Sequence, residues 1–154
     1  MPELRTALEE AGFKDVQTYL QSGNVVLESR AKPETKVKRL IKERFGLDIE
    51  VVVRSRAELA RIVKRNPLGS VAKNPKTYQV TFLSKKLPAK LVRELEEAAA
   101  PKEQFVVSGR EVYAWHPAGV ARSKLWAKLA GKGLGVTATS RNWTTVEALL
   151  DLST

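Results

Sequence analysis

Apolar positions along this chain fall into stretches of helical and of alternating spacing that hand over to one another at glycine, proline and asparagine. Leu4, Ala7, Leu8 and Ala11 recur at helical intervals, with Pro2 suited to a first turn and Gly12 to the stop. DVQTYL at 15–20 alternates, with Val16, Thr18 and Leu20 on one side, and VVLES at 25–29 resumes the strand pattern after Gln21-Ser22-Gly23-Asn24. Val37, Leu40, Ile41 and Phe45 form the stripe of a second helix, opened by Pro33 and ended by Gly46. DIEVVVR at 48–54 is a β-branched run, expected to be a central strand because its apolar positions are nearly continuous.

Ser55-Arg56-Ala57-Glu58 has the spacing of a capping box, and the helix after it carries Leu59, Ile62 and Val63. Asn66-Pro67 breaks that helix, and NPLGSVAKNP reads as an exposed loop and a boundary. TYQVTFL is a strand, and a helix opened by Pro88 presents Leu91, Val92 and Leu95. EQFVV and EVYAW are strands joined tightly at Ser108-Gly109. A helix over 123–130, a short strand VTAT and a helix from Trp143 complete the chain.

In order, residues 1–54 read αββαβ and residues 76–140 read βαββαβ. The pattern therefore predicts an α+β protein of two tandem ferredoxin-like (βαββαβ) units, the first (1–54) missing its opening strand. Residues 55–75 connect it to the second unit, 76–154. In a ferredoxin-like sheet the opening strand is central, so its loss would uncover apolar faces and favour self-association through the first unit.

Composition narrows the function classes. The chain has 154 residues, 43% of them apolar, and no apolar run long enough for a transmembrane helix. The charged, amphipathic start is unlike a signal peptide, which with the absence of cysteine fits the cytoplasm. One histidine and no cysteine argue against a zinc site, and only Glu111 and Glu147 could offer carboxylates to a magnesium ion near the stretch discussed next. No metal or cofactor is expected. The net charge of +10 is unevenly spread: residues 1–50 balance, whereas residues 51–154 carry eighteen Lys/Arg against eight Asp/Glu. Ten cations and a single acid, Glu58, lie between Arg54 and Lys90, which favours an anionic ligand or nucleic acid, with Lys85, Lys86 and Lys90 as phosphate contacts. Aromatic residues do not interleave there as they would on a stacking platform for single strands.

The stretch from Gly119 to Val146 holds candidate chemistry. Arg122, Ser123 and Lys124 precede one helix, and Arg141 and Asn142 precede another. A cation at a helix N-terminus opposes the macrodipole, while the open N–H groups there suit an anion, so these residues are read as an anion-binding cleft. His116 would have to serve any Ser-His-Asp arrangement, and its place at a strand end before Pro117 suggests exposure. Gly131-Lys132-Gly133-Leu134-Gly135 lacks the order of a phosphate loop. Gln21, Ser22 and Asn24 line the site in this reading or simply make the hairpin turn. Trp143 fills the core or stacks on a ligand ring. Tyr113, alternating with Glu111 and Trp115 on one strand face, is a further candidate for lining the site.

TYLQSGNVVLES at 18–29, GREVYAWHPAGVARSKL at 109–125 and TSRNWTTVEAL at 139–149, in that order and spacing, resemble a bacterial family known as domain of unknown function 1697. MPELRTALEEAGF also looks like that family's first helix. The resemblance implies an apolar strand and a Gly-rich turn before this helix, which the present chain lacks. It also implies a tyrosine-proline-acid-glycine run where His116-Pro117-Ala118-Gly119 stands, so no acid is available at position 118. The family has no assigned activity. Three function classes follow from the residues: a module that binds nucleic acid or a phosphate ligand, a small-molecule enzyme acting on a phosphorylated or carboxylated substrate, and a purely structural or regulatory partner that uses neither set of cations.

Overall fold

The computed structural model describes residues 2–19, 24–29, 32–130 and 136–153. The fold is mixed α and β, with six helices and two antiparallel sheets among the described residues. The chain forms two compact units, Met1–Arg56 with Ala148–Thr154, and Ala57–Glu147.

The first unit contains α1 (Pro2–Glu10), β1 (Lys14–Tyr19), β2 (Asn24–Glu28) and α2 (Glu34–Phe45). Its sheet is the β1-β2 hairpin, irregular between Lys14 and Gln17 where Asp15 takes a positive φ of 50°. Leu8, Phe13 and Val16 form the core of this unit, flanked by Leu4, Val25, Leu27, Val37 and Leu40. The helical stripes read from the sequence therefore meet the alternating positions of the hairpin on one side. Gly46 ends α2 in the left-handed region at φ 67°, its N–H donating to the Lys42 carbonyl at 2.9 Å. The hairpin turn, with Gln21 and Ser22, lies outside the described residues.

The expected strand at 48–54 does not form. Residues 46–55 take no strand structure, and Leu47 and Ile49 are exposed at 54% and 45%. A β-branched run makes a strand only when a neighbouring ladder accepts its N–H and C=O groups, and the sheet of this unit stops at two strands. The first unit is thus αββα.

The second unit contains α3 (Arg56–Arg65, from Ala57 onward), β3 (Tyr78–Leu83), α4 (Ala89–Ala98), β4 (Gln104–Ser108), β5 (Glu111–Trp115), α5 (Lys124–Ala130) and β6 (Ala138–Asn142). Its strands lie in the order β4-β5-β3-β6, every adjacent pair antiparallel. β3 is central and buried throughout. One face of the sheet packs Leu83, Val112 and Ala114 against Leu95 of α4 and Leu125 and Leu129 of α5. The opposite face meets α3, whose Ile62 carbonyl accepts from the buried Tyr113 hydroxyl at 2.8 Å.

The connection expected to be an exposed boundary loop is exposed over much of its length but anchored at two points, and it lies within the second unit. Leu68 and Ala72 are buried, and the Tyr78 hydroxyl donates to Asn66 Oδ1 at 2.9 Å. Its prolines and polar residues mark turns, while Leu68 and Ala72 find cover and Val71 stays exposed. β6 runs directly into α6 (Trp143–Leu152), a shift from the expected VTAT strand. The register on β3, from Leu83 opposite Ala138 to Gln79 opposite Asn142, sets those limits. Asn142 caps α6 by accepting from the Thr145 amide at 2.9 Å. Asn142→Ala is therefore expected to lower stability by about 1 kcal/mol, and Asn142→Asp to retain most of it, in urea denaturation.

Candidate functional site

The single histidine is not exposed. Val112, Ala114 and His116 alternate onto the α5 face, and the His116 amide donates to the Thr77 carbonyl at 2.9 Å, extending the β3–β5 ladder one step past the strand end. Its ring is fully buried and packs edge-on to Trp126, with centroids 5.9 Å apart. His116 Nδ1 lies 2.6 Å from Glu103 Oε2, which also accepts from the Ser123 hydroxyl at 2.6 Å. Ser123 Oγ in turn caps α5, accepting from the Trp126 amide at 3.0 Å.

A serine, a histidine and a carboxylate thus meet, yet not in the geometry of a nucleophilic triad. A triad needs the hydroxyl at one ring nitrogen and the carboxylate at the other. Here both approach Nδ1, with Ser123 Oγ 3.3 Å from it, while the serine proton is directed to Glu103. Nε2 is buried without a hydrogen-bond partner. Burial pushes the Glu103 carboxyl up, but hydrogen bonds from the Ala100 amide, the Ser123 hydroxyl and the His116 ring outweigh it and hold the group below the ordinary carboxylate value. An ionised Glu103 can only accept, so Nδ1 donates. The cluster fastens the start of α5 to the end of β5 and to the turn before β4.

The residues expected to form one anion cleft do not converge. Leu83 faces Ala138, and Thr81 Oγ1 lies 2.7 Å from Ser140 Oγ, so Ala138, Ser140 and Asn142 share the α5 face. Arg141, one position off, belongs to the opposite face. Its guanidinium donates to Thr139 Oγ1 at 2.7 Å and to the Ser140 carbonyl at 2.8 Å, and burial lowers its pKa. Ser123 and Asn142 are both spent on caps, as their residue types allow. Arg122 and Lys124 are exposed, Lys124 beside Glu94 and Glu97 in the groove between α4 and α5. Alternation along β6 is visible in the sequence, but which side of it faces α5 is not.

Other expected lining residues have structural duties. Asn24 is buried and donates to the Tyr19 carbonyl at 3.1 Å, closing its own hairpin. Trp143 stacks on Tyr78, ring centroids 4.8 Å apart and planes 18° from parallel, which realises the core alternative. Gly131 to Gly135 lie outside the described residues.

A different set of cations does come together. A groove of about 400 Å³ is lined by Arg61 and Arg65 of α3, Lys86 after β3 and Arg110 in the β4–β5 turn, with Tyr113 on β5 beneath. Arg61 and Arg65 are one helical turn apart and so share a face. Glu58 and Glu111 also line it, and Arg110 Nη2 donates to Glu58 Oε2 at 2.9 Å. Both partners of that pair are partly exposed, so it contributes about 0–1 kcal/mol. Burial, with Glu111 nearby, pushes the Tyr113 hydroxyl up to about 12, leaving it a neutral donor to Ile62. Of the lysines expected to bind nucleic acid, Lys86 lines this groove; Lys85 and Lys90 are exposed but do not. Arg61 and Arg65 are legible in the sequence as part of the cationic run. Arg110 is not, because Glu58 and Arg110 are 52 positions apart and only the sheet brings the turn beside α3.

Among the described residues, no three of His, Cys, Asp and Glu lie together as metal ligands, and no helix is long and apolar enough to cross a membrane. A family model described as "Protein of unknown function (DUF1697)" matches residues 1–113. The fold is similar to that of a conserved bacterial protein from Streptococcus pneumoniae, with a TM-score of 0.74 and 17% identity over 100% of this chain and 88% of that one. No curated protein matches the chain.

Proposed function

The chain belongs to the DUF1697 family, of unknown function, and on that premise we propose that it is an anion-binding module whose ligand is the phosphate backbone of nucleic acid. The observation that carries the reading is the groove of about 400 Å³ above Tyr113, where Arg61, Arg65, Lys86 and Arg110 outnumber Glu58 and Glu111. Its floor is a buried tyrosine rather than an exposed aromatic shelf, which favours duplex phosphates over stacked single-strand bases. Tandem ferredoxin-like ancestry belongs to the same proposal: the βαββαβ run of the second unit and the hairpin between two helices in the first support it. A cytoplasmic setting, where nucleic acid is at hand, is itself a part of the proposal.

The test is binding of a mixed-sequence DNA or RNA duplex at a series of salt concentrations. Replacing Arg61, Arg65 and Lys86 by Ala is expected to weaken binding at least tenfold at low salt. The slope of log affinity against log salt should flatten by about 0.9 for each phosphate no longer neutralised, without sequence preference. Lys85→Ala with Lys90→Ala should do less. Absence of duplex binding at low salt would remove this reading and leave the alternative, an enzyme acting on a phosphorylated or carboxylated small molecule.

A further inference from the structure

We propose that β4 of the second unit pairs antiparallel with β4 of a second copy of the chain, joining the two four-stranded sheets edge to edge. β4 is an edge strand: β5 lies on one side of it, and no strand lies on the other among the described residues. The backbone N–H and C=O groups that do not meet β5 therefore point outward along that edge. Folded proteins blunt such edges with charge, proline or a bulge. The opposite edge strand, β6, carries Arg141. β4 has none of these devices: Gln104-Phe105-Val106-Val107-Ser108 holds no charge and no proline, and its register on β5 is unbroken. Gln104 is exposed and the other four residues are half-buried, so none is sealed off from a partner.

The strand is complementary to itself, and this selects the occupant. A twofold axis perpendicular to the sheet through Val106 gives every residue of β4 a partner. Val106 then faces itself, Phe105 faces Val107 of the second copy, and Gln104 faces Ser108. Apolar side chains meet apolar ones, polar meet polar, and no like charges oppose each other within the ladder. Phe105 and Val107 pack against the core of Leu83, Leu95 and Val112 but stay partly exposed at the edge. An aromatic residue directly across from a β-branched one is a favourable pair, and it covers both. The charges flanking the strand are engaged within their own copy: Glu103 with His116 and Ser123, Arg110 with Glu58. The axis keeps the α3 side of both sheets on one face, yet the pairing stands independently of what the cationic groove there binds.

The chain contains no cysteine, so single cysteines report the register directly. Directly opposed residues of an antiparallel pair have Cα atoms about 4.5–5.5 Å apart, within disulfide range. Val106→Cys is therefore expected to form a covalent dimer under mild oxidation at least about tenfold faster than Gln104→Cys, which does not face itself. A mixture of Gln104→Cys and Ser108→Cys should also cross-link. Light scattering should show the parent mass doubling as concentration rises. Two double variants share Ser108→Lys and differ only at the exposed Gln104. With Gln104→Glu, opposite charges face each other across the pair, and with Gln104→Lys, like charges do. The second should need at least about fivefold more protein to reach half dimer. Circular dichroism checks that both are folded. A parent chain that stays monomeric at every concentration, even one that takes up an added extended peptide along β4, would overturn the proposal. So would a dimer indifferent to the charge at position 104, with Val106→Cys no faster than Gln104→Cys.

Discussion

Replacing Glu103 by alanine is expected to lower the stability of the second unit by about 1–3 kcal/mol, the range for leaving a buried donor without its acceptor. Glu103 accepts from the Ala100 amide at 2.9 Å, and from Ser123 and His116 at 2.6 Å each. Its side chain is only 7% exposed and that of His116 is 0%. Alanine therefore leaves the buried His116 N–H without an acceptor, while the exposed Ala100 amide can turn to water. The pH dependence has a definite sign. Because the folded-state pKa of Glu103 is depressed, its contribution is fully present above the ordinary carboxylate value and is lost as pH falls through the lower, folded value. Denaturation of the parent followed from neutral pH into acid should show that loss. Glu103→Gln, which cannot ionise, should start less stable at neutral pH and fall less on the same descent. A parallel fall in both proteins would mean that Glu103 is not ionised in the folded state.

Leu125→Ala is expected to cost about 2–5 kcal/mol, whereas Leu47→Ala should change the stability of the monomer by less than about 0.5 kcal/mol. Both remove the same atoms. Leu125 is fully buried between the sheet and α4, and its loss leaves a cavity among Leu83, Leu95, Val112 and Leu129. Leu47 is 54% exposed and leaves none. Urea denaturation of the two variants side by side decides it, and equal losses would place Leu47 in a packed core.

How far the sequence can be read is clearest at particular residues. The cap residues Ser123 and Asn142 are legible because a short polar side chain before an apolar helical stripe has a local job, satisfied within three residues. The helical stripes and the alternation of β3 and β5 are legible for the same reason, since periodicity follows from local backbone geometry. The sequence suggests exposure for His116 because its neighbour Pro117 marks a turn. Its burial depends on the ladder bond to Thr77, made between strands. The run at 48–54 carries the strand pattern without a partner, and propensity cannot supply hydrogen-bond acceptors.

What the sequence determined by itself is therefore the class of fold, the order of helices and strands in the second unit, the helix caps, and a cationic excess confined to residues 51–154. Only the tertiary structure decided which cations meet. Arg141 falls on the sheet face away from α5, and Arg110 is carried by a hairpin turn to the side of α3, beside Arg61, Arg65 and Lys86. It also decided that Ser123, His116 and Glu103 converge on one ring nitrogen as a structural clasp. The physical reason is common to both. Local patterns fix which residues alternate together, but which face of a strand is inward depends on what packs against it, and that is settled only when the whole unit assembles.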